Sequence, residues 1–213
     1  AYTFDKYLDG GDADWPLLIP MVKSAVAAMD VTQWFFDGTV TIDEFVVSGA
    51  SKRGWTTWLT GAVDTRVSAV IPLVIDVLNM DVQMDYHYSA YGEYSEAVQD
   101  YVLENVFQRF GTPRADQLLD IVDPYSYIDR LTMPKYGINS TGDQFFLPDS
   151  AQFYYDDLLG EKHLRYVPNT DHSLSEAIET VGLNLGAFYV SVADGVSRPN
   201  MTWEVTGPGS MEV

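Results

Sequence analysis

The sequence predicts an α/β fold with a mostly parallel β-sheet flanked by helices. Three observations predict it: an apolar strand at residues 44–47, a helical stretch at 52–62, and a second apolar strand at 67–75. A strand, a helix and a strand at this spacing are typical of a parallel βαβ unit. Further strands at 136–139 and 164–167 continue the same alternation.

The other elements follow in chain order. Asp14-Trp15-Pro16 provides an N-cap and a first-turn proline for a helix over about 16–36. Residues 80–130 interrupt the alternation with a polar aromatic segment and helical stretches near 95–110 and 114–122, which predict a helical cap insertion. A helix is expected at 148–158, and a last helix carries apolar residues on one face: Ala177, Ile178, Val181, Leu185, Phe188 and Val192. The predicted core spans residues 1–195, and a tail that contains Pro and Gly spans 196–213.

Composition excludes several classes of protein. Apolar residues make up 46% of the 213 positions, enough for one sizeable core. The net charge of −19 repels nucleic acid and anionic membranes, so neither is expected as a partner. The absence of cysteine excludes disulfides and a cysteine nucleophile. No apolar run reaches the roughly 18 residues of a membrane span, and no metal-ligand spacing is present, so neither metal nor cofactor is expected.

The stretch VVSGASKRGW, residues 46–55, resembles the G-x-S-x-G turn on which hydrolases hold a serine nucleophile. Arg53 occupies the place of the second glycine, and Gly54 comes one position late. Ser51 would lie at the start of a helix, where the N–H of Lys52 could donate to an oxyanion. From these residues alone, a serine N-cap at a strand-to-helix turn is an equally good interpretation.

Two later residues favour the nucleophile. Asp143 lies in the loop after the 136–139 strand, and His172 lies in the loop after the 164–167 strand. Serine, acid and histidine in this order, each after a strand, are typical of the α/β-hydrolase fold. Asp76, just beyond the 67–75 strand, is an alternative acid. His87, Tyr88 and Tyr91 are candidates for the wall of a substrate pocket, although such clusters are more often cap packing.

Several long stretches together resemble the PhoPQ-activated pathogenicity-related protein family of the α/β-hydrolase superfamily. They are SGASKRGW, VIPLVIDVLNM, DPYSYIDRLTMPKYGINSTGDQFFLPDS and LRYVPNTDHSL, and the likeness runs over about residues 1–195. The late glycine is part of the family's G-A-S-K-R-G-W pattern. The resemblance implies Ser51 as nucleophile, His172 as base and Asp143 as acid, and a secreted or periplasmic location.

The resemblance also implies sheet strands before the first residue, with a loop that gives a second oxyanion donor. We therefore expect a sheet lacking its first strands, which a complementing chain could supply. The predicted activity is hydrolysis of a small-molecule carboxylic ester through an acyl-enzyme on Ser51. An amidase or peptidase of the same fold and an inactive binding or signalling protein are the alternatives. The oligomeric state and the natural substrate are left open.

Overall fold

The computed structural model describes all of residues 1–213 and contains a four-stranded parallel sheet in the order β1-β2-β3-β4. The strands are β1 (Phe45–Ala50), β2 (Val67–Leu73), β3 (Lys135–Ser140) and β4 (Lys162–Val167). The free edge of β1 pairs with no other strand of the chain. The parallel α/β sheet predicted from the sequence is therefore confirmed. Near the C-terminus, β5 (Glu204–Gly207) and β6 (Ser210–Glu212) form an antiparallel hairpin.

Seven α-helices surround the sheet. They are α1 (Tyr2–Leu8), α2 (Leu18–Phe36), α3 (Lys52–Val63), α4 (Met80–Tyr91), α5 (Gln99–Leu103), α6 (Pro113–Val122) and α7 (Ile178–Ala193). None of them combines the length and the apolar character that crossing a membrane would require.

The core has two layers, one on each face of the sheet. Val70 of β2 belongs to the cluster that contains Trp58 of α3, whereas Ala69 and Ile71 pack with Val181 of α7. Neighbouring residues of a strand point to opposite faces, so β2 is covered on both sides. This double burial explains why its sequence is a continuous apolar run rather than an alternating one.

The chain between β2 and β3 is helical, as expected for the insertion at about 80–130. It holds α4, α5 and α6 together with short 3-10 helices at Glu96–Val98, Phe107–Arg109 and Pro124–Arg130. Thr112 caps α6 by accepting a hydrogen bond from the N–H of Ala115 at 3.3 Å. The division into a core over 1–195 and a tail over 196–213 stays a prediction.

The predicted helix at 148–158 is wrong. Only Ser150–Phe153 forms a short 3-10 helix, and Tyr154 then leaves helical geometry with φ −152°. Tyr154 is buried, and its hydroxyl donates a hydrogen bond to the Asp76 carboxylate. A tertiary contact thus overrides local helix propensity here. Helix α1 was not predicted from the sequence.

Pro72 lies inside β2 despite having no N–H. The N–H groups of Val70 and Val74 donate to the carbonyls of Pro134 and Ile138, at 3.1 and 2.8 Å. Pro72 lies midway between them, at the position whose N–H would also donate to β3. The strand tolerates one missing ladder bond because its neighbours on either side remain bonded.

Candidate active site

A sharp turn between β1 and α3 presents Ser51. This residue has φ 55° and ψ −127°, a conformation that is sparsely populated for residues other than glycine. The N–H of Ser51 donates to the Leu73 carbonyl at 2.9 Å, and its carbonyl accepts from the Trp55 N–H at 3.0 Å. Such backbone strain costs of order 1–3 kcal/mol and persists only where surrounding contacts hold it.

Two glycines allow this turn to form. A Cβ on Gly49 would lie 2.7 Å from the Arg53 carbonyl oxygen, and one on Gly54 would lie 2.5 Å from Ile75 Cγ2 and 2.9 Å from the Gly49 oxygen. The glycine that comes one place late in the sequence therefore lies where α3 packs closely against the end of β1 and the residues after β2. Arg53 occupies a position whose side chain has room.

We expect Gly54→Ala to destabilise the fold by about 1–3 kcal/mol, the usual effect of overpacking. The shift of α3 away from Ile75 would also misplace Ser51. Gly186→Ala is the matched control, because a Cβ there meets no atom within 4 Å. Urea unfolding of both variants checks the prediction, and equal stability of the two would contradict it.

The structure brings Ser51, His172 and Asp143 together. Nε2 of His172 lies 2.8 Å from Ser51 Oγ, and Nδ1 lies 2.9 and 2.8 Å from the two carboxylate oxygens of Asp143. The Asp143 side chain is only 2% exposed, whereas the His172 side chain is 18% exposed. All three residues follow strands at the carboxyl edge of the sheet, where sites of α/β proteins form.

The loops that carry Asp143 and His172 are joined by hydrogen bonds. The Gly142 N–H donates to the Thr170 carbonyl at 2.9 Å, and the Asn169 N–H donates to Thr141 Oγ1 at 3.0 Å. Thr170 Oγ1 also donates to Ser140 Oγ at 3.0 Å. These bonds fix the position of the carboxylate relative to the imidazole.

Two residues directly after Asp143 support the imidazole, and the sequence analysis missed both. Gln144 Oε1 accepts the backbone N–H of His172 at 3.0 Å. The Phe145 ring lies 4.3 Å from the His172 ring, and the Phe145 N–H donates to Asp143 at 2.7 Å. Their position directly after Asp143 in the sequence is the signal that could have identified them.

Asp76, the alternative acid, forms no hydrogen bond with His172. Its carboxylate accepts from Asn139 Nδ2 and the Tyr166 hydroxyl, each at 3.0 Å, and from the Tyr154 hydroxyl. Burial raises the pKa of Asp76 to about 6, although the hydrogen bonds from the two tyrosines act in the opposite direction. The Asp76 carboxyl, which follows β2, is thus hydrogen-bonded to residues of β3 and β4 rather than to the imidazole.

The raised pKa of Asp76 makes stability depend on pH. The folded state holds a proton that the unfolded chain releases between pH 3.8 and about 6. The stability from this group is therefore fully present below pH 3.8 and is lost as the pH rises through about 6. The loss amounts to roughly 3 kcal/mol, from the shift of about two units.

We expect Asp76→Asn to remove this dependence. The free energy of unfolding of the variant, relative to that of the unmodified protein, should rise between pH 4 and pH 7.5. Asp123, whose pKa burial also raises to about 6, cancels in the comparison because both proteins contain it. Urea titrations at several pH values check this, and parallel pH profiles would contradict it.

A cavity of about 180 Å³ begins at Ser51 and Lys52. None of His87, Tyr88 and Tyr91 lines it. His87 is buried in α4, where its Nε2 accepts the Ser95 N–H at 3.1 Å, while the two tyrosines are half exposed. The expected pocket wall is therefore formed by other residues.

Lys52 is the first residue of α3. Its backbone N–H, next to the Ser51 hydroxyl, has no partner within the helix, as is general for the first turn. No three His, Asp or Glu side chains come together as a group that could hold a metal ion.

Solved structures similar to this chain are α/β-hydrolases. An acetyl xylan esterase from Paenibacillus sp. R4 superposes with a TM-score of 0.59 at 16% identity, over 78% of this chain and 51% of that one. A Paleococcus ferrophilus monoacylglycerol lipase gives 0.52 at 12% identity, over 80% and 76%. The Pyrococcus horikoshii acylaminoacyl peptidase gives 0.54 at 14% identity, over 72% and 24%. These likenesses show the α/β-hydrolase fold.

A curated relative is similar in sequence. Autocrine proliferation repressor protein A of Dictyostelium discoideum is 43% identical over 211 residues, which are 97% of this chain and 42% of that protein. This chain therefore spans less than half the length of that relative. The family model described as "PhoPQ-activated pathogenicity-related protein" matches residues 1–213. The chain belongs to the PhoPQ-activated pathogenicity-related protein family.

Proposed function

We propose that this chain is a serine hydrolase that cleaves carboxylic esters through an acyl-enzyme on Ser51. The observation that carries the proposal is the continuous hydrogen-bond chain from Ser51 Oγ through the His172 ring to Asp143. Serine next to a base that a third group orients is the arrangement that activates a weak nucleophile. The strained turn that exposes Ser51 supports the same role.

The first half of the reaction forms the acyl-enzyme. Ser51 Oγ attacks the ester carbonyl while His172 Nε2 accepts the hydroxyl proton. The carbonyl oxygen becomes an oxyanion, to which the Lys52 N–H donates. When the tetrahedral intermediate collapses, the ester C–O bond breaks and the proton on Nε2 passes to the departing alkoxide, which leaves as the alcohol.

The second half returns the enzyme to its starting state. A water molecule attacks the acyl carbonyl as His172 accepts its proton, and the same proton then returns to Ser51 Oγ when the acid product leaves. Asp143 accepts a hydrogen bond from the Nδ1–H group throughout, which keeps Nε2 as the acceptor in the neutral ring and stabilises the imidazolium, while the carboxylate itself stays unprotonated.

Esters are easier to hydrolyse than amides, because amide hydrolysis expels a poorer leaving group. A backbone donor to the oxyanion, the role that we propose for the Lys52 N–H, contributes a factor of about 10²–10³ for either bond. We therefore propose esters as the substrates and test an amide beside them.

Labelling with a fluorophosphonate probe tests the proposal. We expect modification of Ser51, located by peptide mass spectrometry, and p-nitrophenyl butyrate hydrolysed faster than the matching p-nitroanilide. Faster cleavage of the anilide would favour an amidase or peptidase. A folded protein that the probe does not label would favour a binding or signalling role.

A further inference from the structure

The cavity beside Ser51 is a largely apolar recess. It has a volume of about 180 Å³, and 11 of its 14 lining residues are hydrophobic. Trp55, Met84, Val98 and Phe107 form its buried walls, each no more than 7% exposed. Lys52 and Asp100, the two charged residues of the lining, are exposed to solvent, whereas a charged group among the buried apolar walls would lose its hydration without gaining a partner.

The recess and the reacting atoms share a boundary. Ser51 lines the recess, and so does Phe145, whose ring also packs against His172. A group covalently attached to Ser51 Oγ therefore has this recess next to it. The departing alcohol, by contrast, must receive a proton from His172 and reach solvent.

Half of the lining comes from the helical insertion between β2 and β3. Met80 and Met84 come from α4, Ala97 and Val98 from the 3-10 helix that follows, and Tyr101 from α5. The insertion therefore sets the shape of the recess, whereas the sheet loops set the chemistry. Methionine side chains adapt to irregular apolar shapes, which suits a flexible acyl chain.

We propose that this recess is the acyl subsite and that the natural substrate is an ester of a short, uncharged, apolar acid. The inference rests on the proposed hydrolase function. An apolar cavity of about 150 Å³ is large enough to bind benzene. A recess of about 180 Å³ thus holds an acyl group of about six carbons. Longer chains exceed this volume and cannot be buried in full.

A chain-length series tests this. The kcat/KM values for p-nitrophenyl acetate, butyrate, hexanoate, octanoate and decanoate are measured below the micelle concentration of each ester. Burial of each methylene is expected to raise kcat/KM by roughly fourfold as far as hexanoate. From hexanoate to decanoate, kcat/KM is expected to fall by at least tenfold.

Ala97→Leu narrows the recess and is expected to move the optimum to acetate or butyrate, with hexanoate slowed by at least tenfold. Ala90→Leu is the matched control, because Ala90 is exposed on α4 and lies outside the recess. It should leave the series unchanged.

The outcomes separate the two proposals. Hydrolysis that depends on Ser51 but shows a flat series, or an optimum at decanoate, overturns the acyl-subsite proposal and leaves the hydrolase proposal standing. An Ala97→Leu series equal to that of Ala90→Leu overturns it as well. A folded protein whose Ser51 is not labelled by the fluorophosphonate overturns the hydrolase function first.

Discussion

Replacing Ser51 with alanine is expected to lower kcat on p-nitrophenyl butyrate by about 10⁶-fold, the size of loss seen when a serine nucleophile is removed. Ser51 Oγ is the hydroxyl oxygen hydrogen-bonded to His172 Nε2, at 2.8 Å. Its removal leaves the imidazole without a hydroxyl to activate. Alanine and serine are equally strained at φ 55°, so the substitution should leave the fold unaffected. Steady-state kinetics and circular dichroism measure the two effects.

His172→Ala and the double variant Ser51→Ala/His172→Ala complete this test. Residues that act as a unit give losses that do not add, so the double variant should be no slower than Ser51→Ala alone. A Ser51→Ala protein that retains a tenth of the activity would show that another group attacks the ester.

The second large effect distinguishes the two candidate acids. Asp143→Asn is expected to lower kcat by about 10⁴-fold. The amide N–H₂ would donate to His172 Nδ1 and favour the tautomer whose Nε2 carries a proton. That nitrogen could then no longer accept the Ser51 proton.

Asp76→Asn is the matched control for Asp143→Asn, since it makes the same chemical change in a buried carboxyl that does not contact His172. We expect its kcat to stay within tenfold of the unmodified protein. A larger loss for Asp76→Asn than for Asp143→Asn would assign the acid role to Asp76.

The sequence predicted the meeting of Ser51, Asp143 and His172 because parallel strands place their carboxyl ends at one edge. Chain order along alternating strands and helices was enough to bring three distant loops together. The role of Gly54 could not be derived in this way. It depends on the approach of α3 to Ile75, a distance between elements that no local pattern records.

Tertiary contacts account for most of what was missed. Tyr154 leaves helical geometry and reaches Asp76, which lies far away in the sequence. The recess walls combine residues from α3, from the helical insertion and from the loop that follows β3 and carries Asp143 (the acid loop). No single stretch of the sequence therefore reveals them. The aromatic cluster that contains His87 suggested a pocket because composition does not reveal which side of α4 faces the core.

The secreted or periplasmic location and a complementing chain stay predictions. Both concern the environment or assembly of the protein rather than the contacts within it. The boundary at residue 195 stays a prediction as well.

The hydrogen bonds between the acid loop and the loop that follows β4 and carries His172 limit how the active site can open. Because Gly142 and Asn169 donate across the gap between these loops, separating the loops would break several hydrogen bonds at once. Residues of α5 take no part in these bonds, although Tyr101 lines the recess. A displacement of α5 would therefore widen the recess without disturbing the hydrogen bonds that hold the Ser–His–Asp chain.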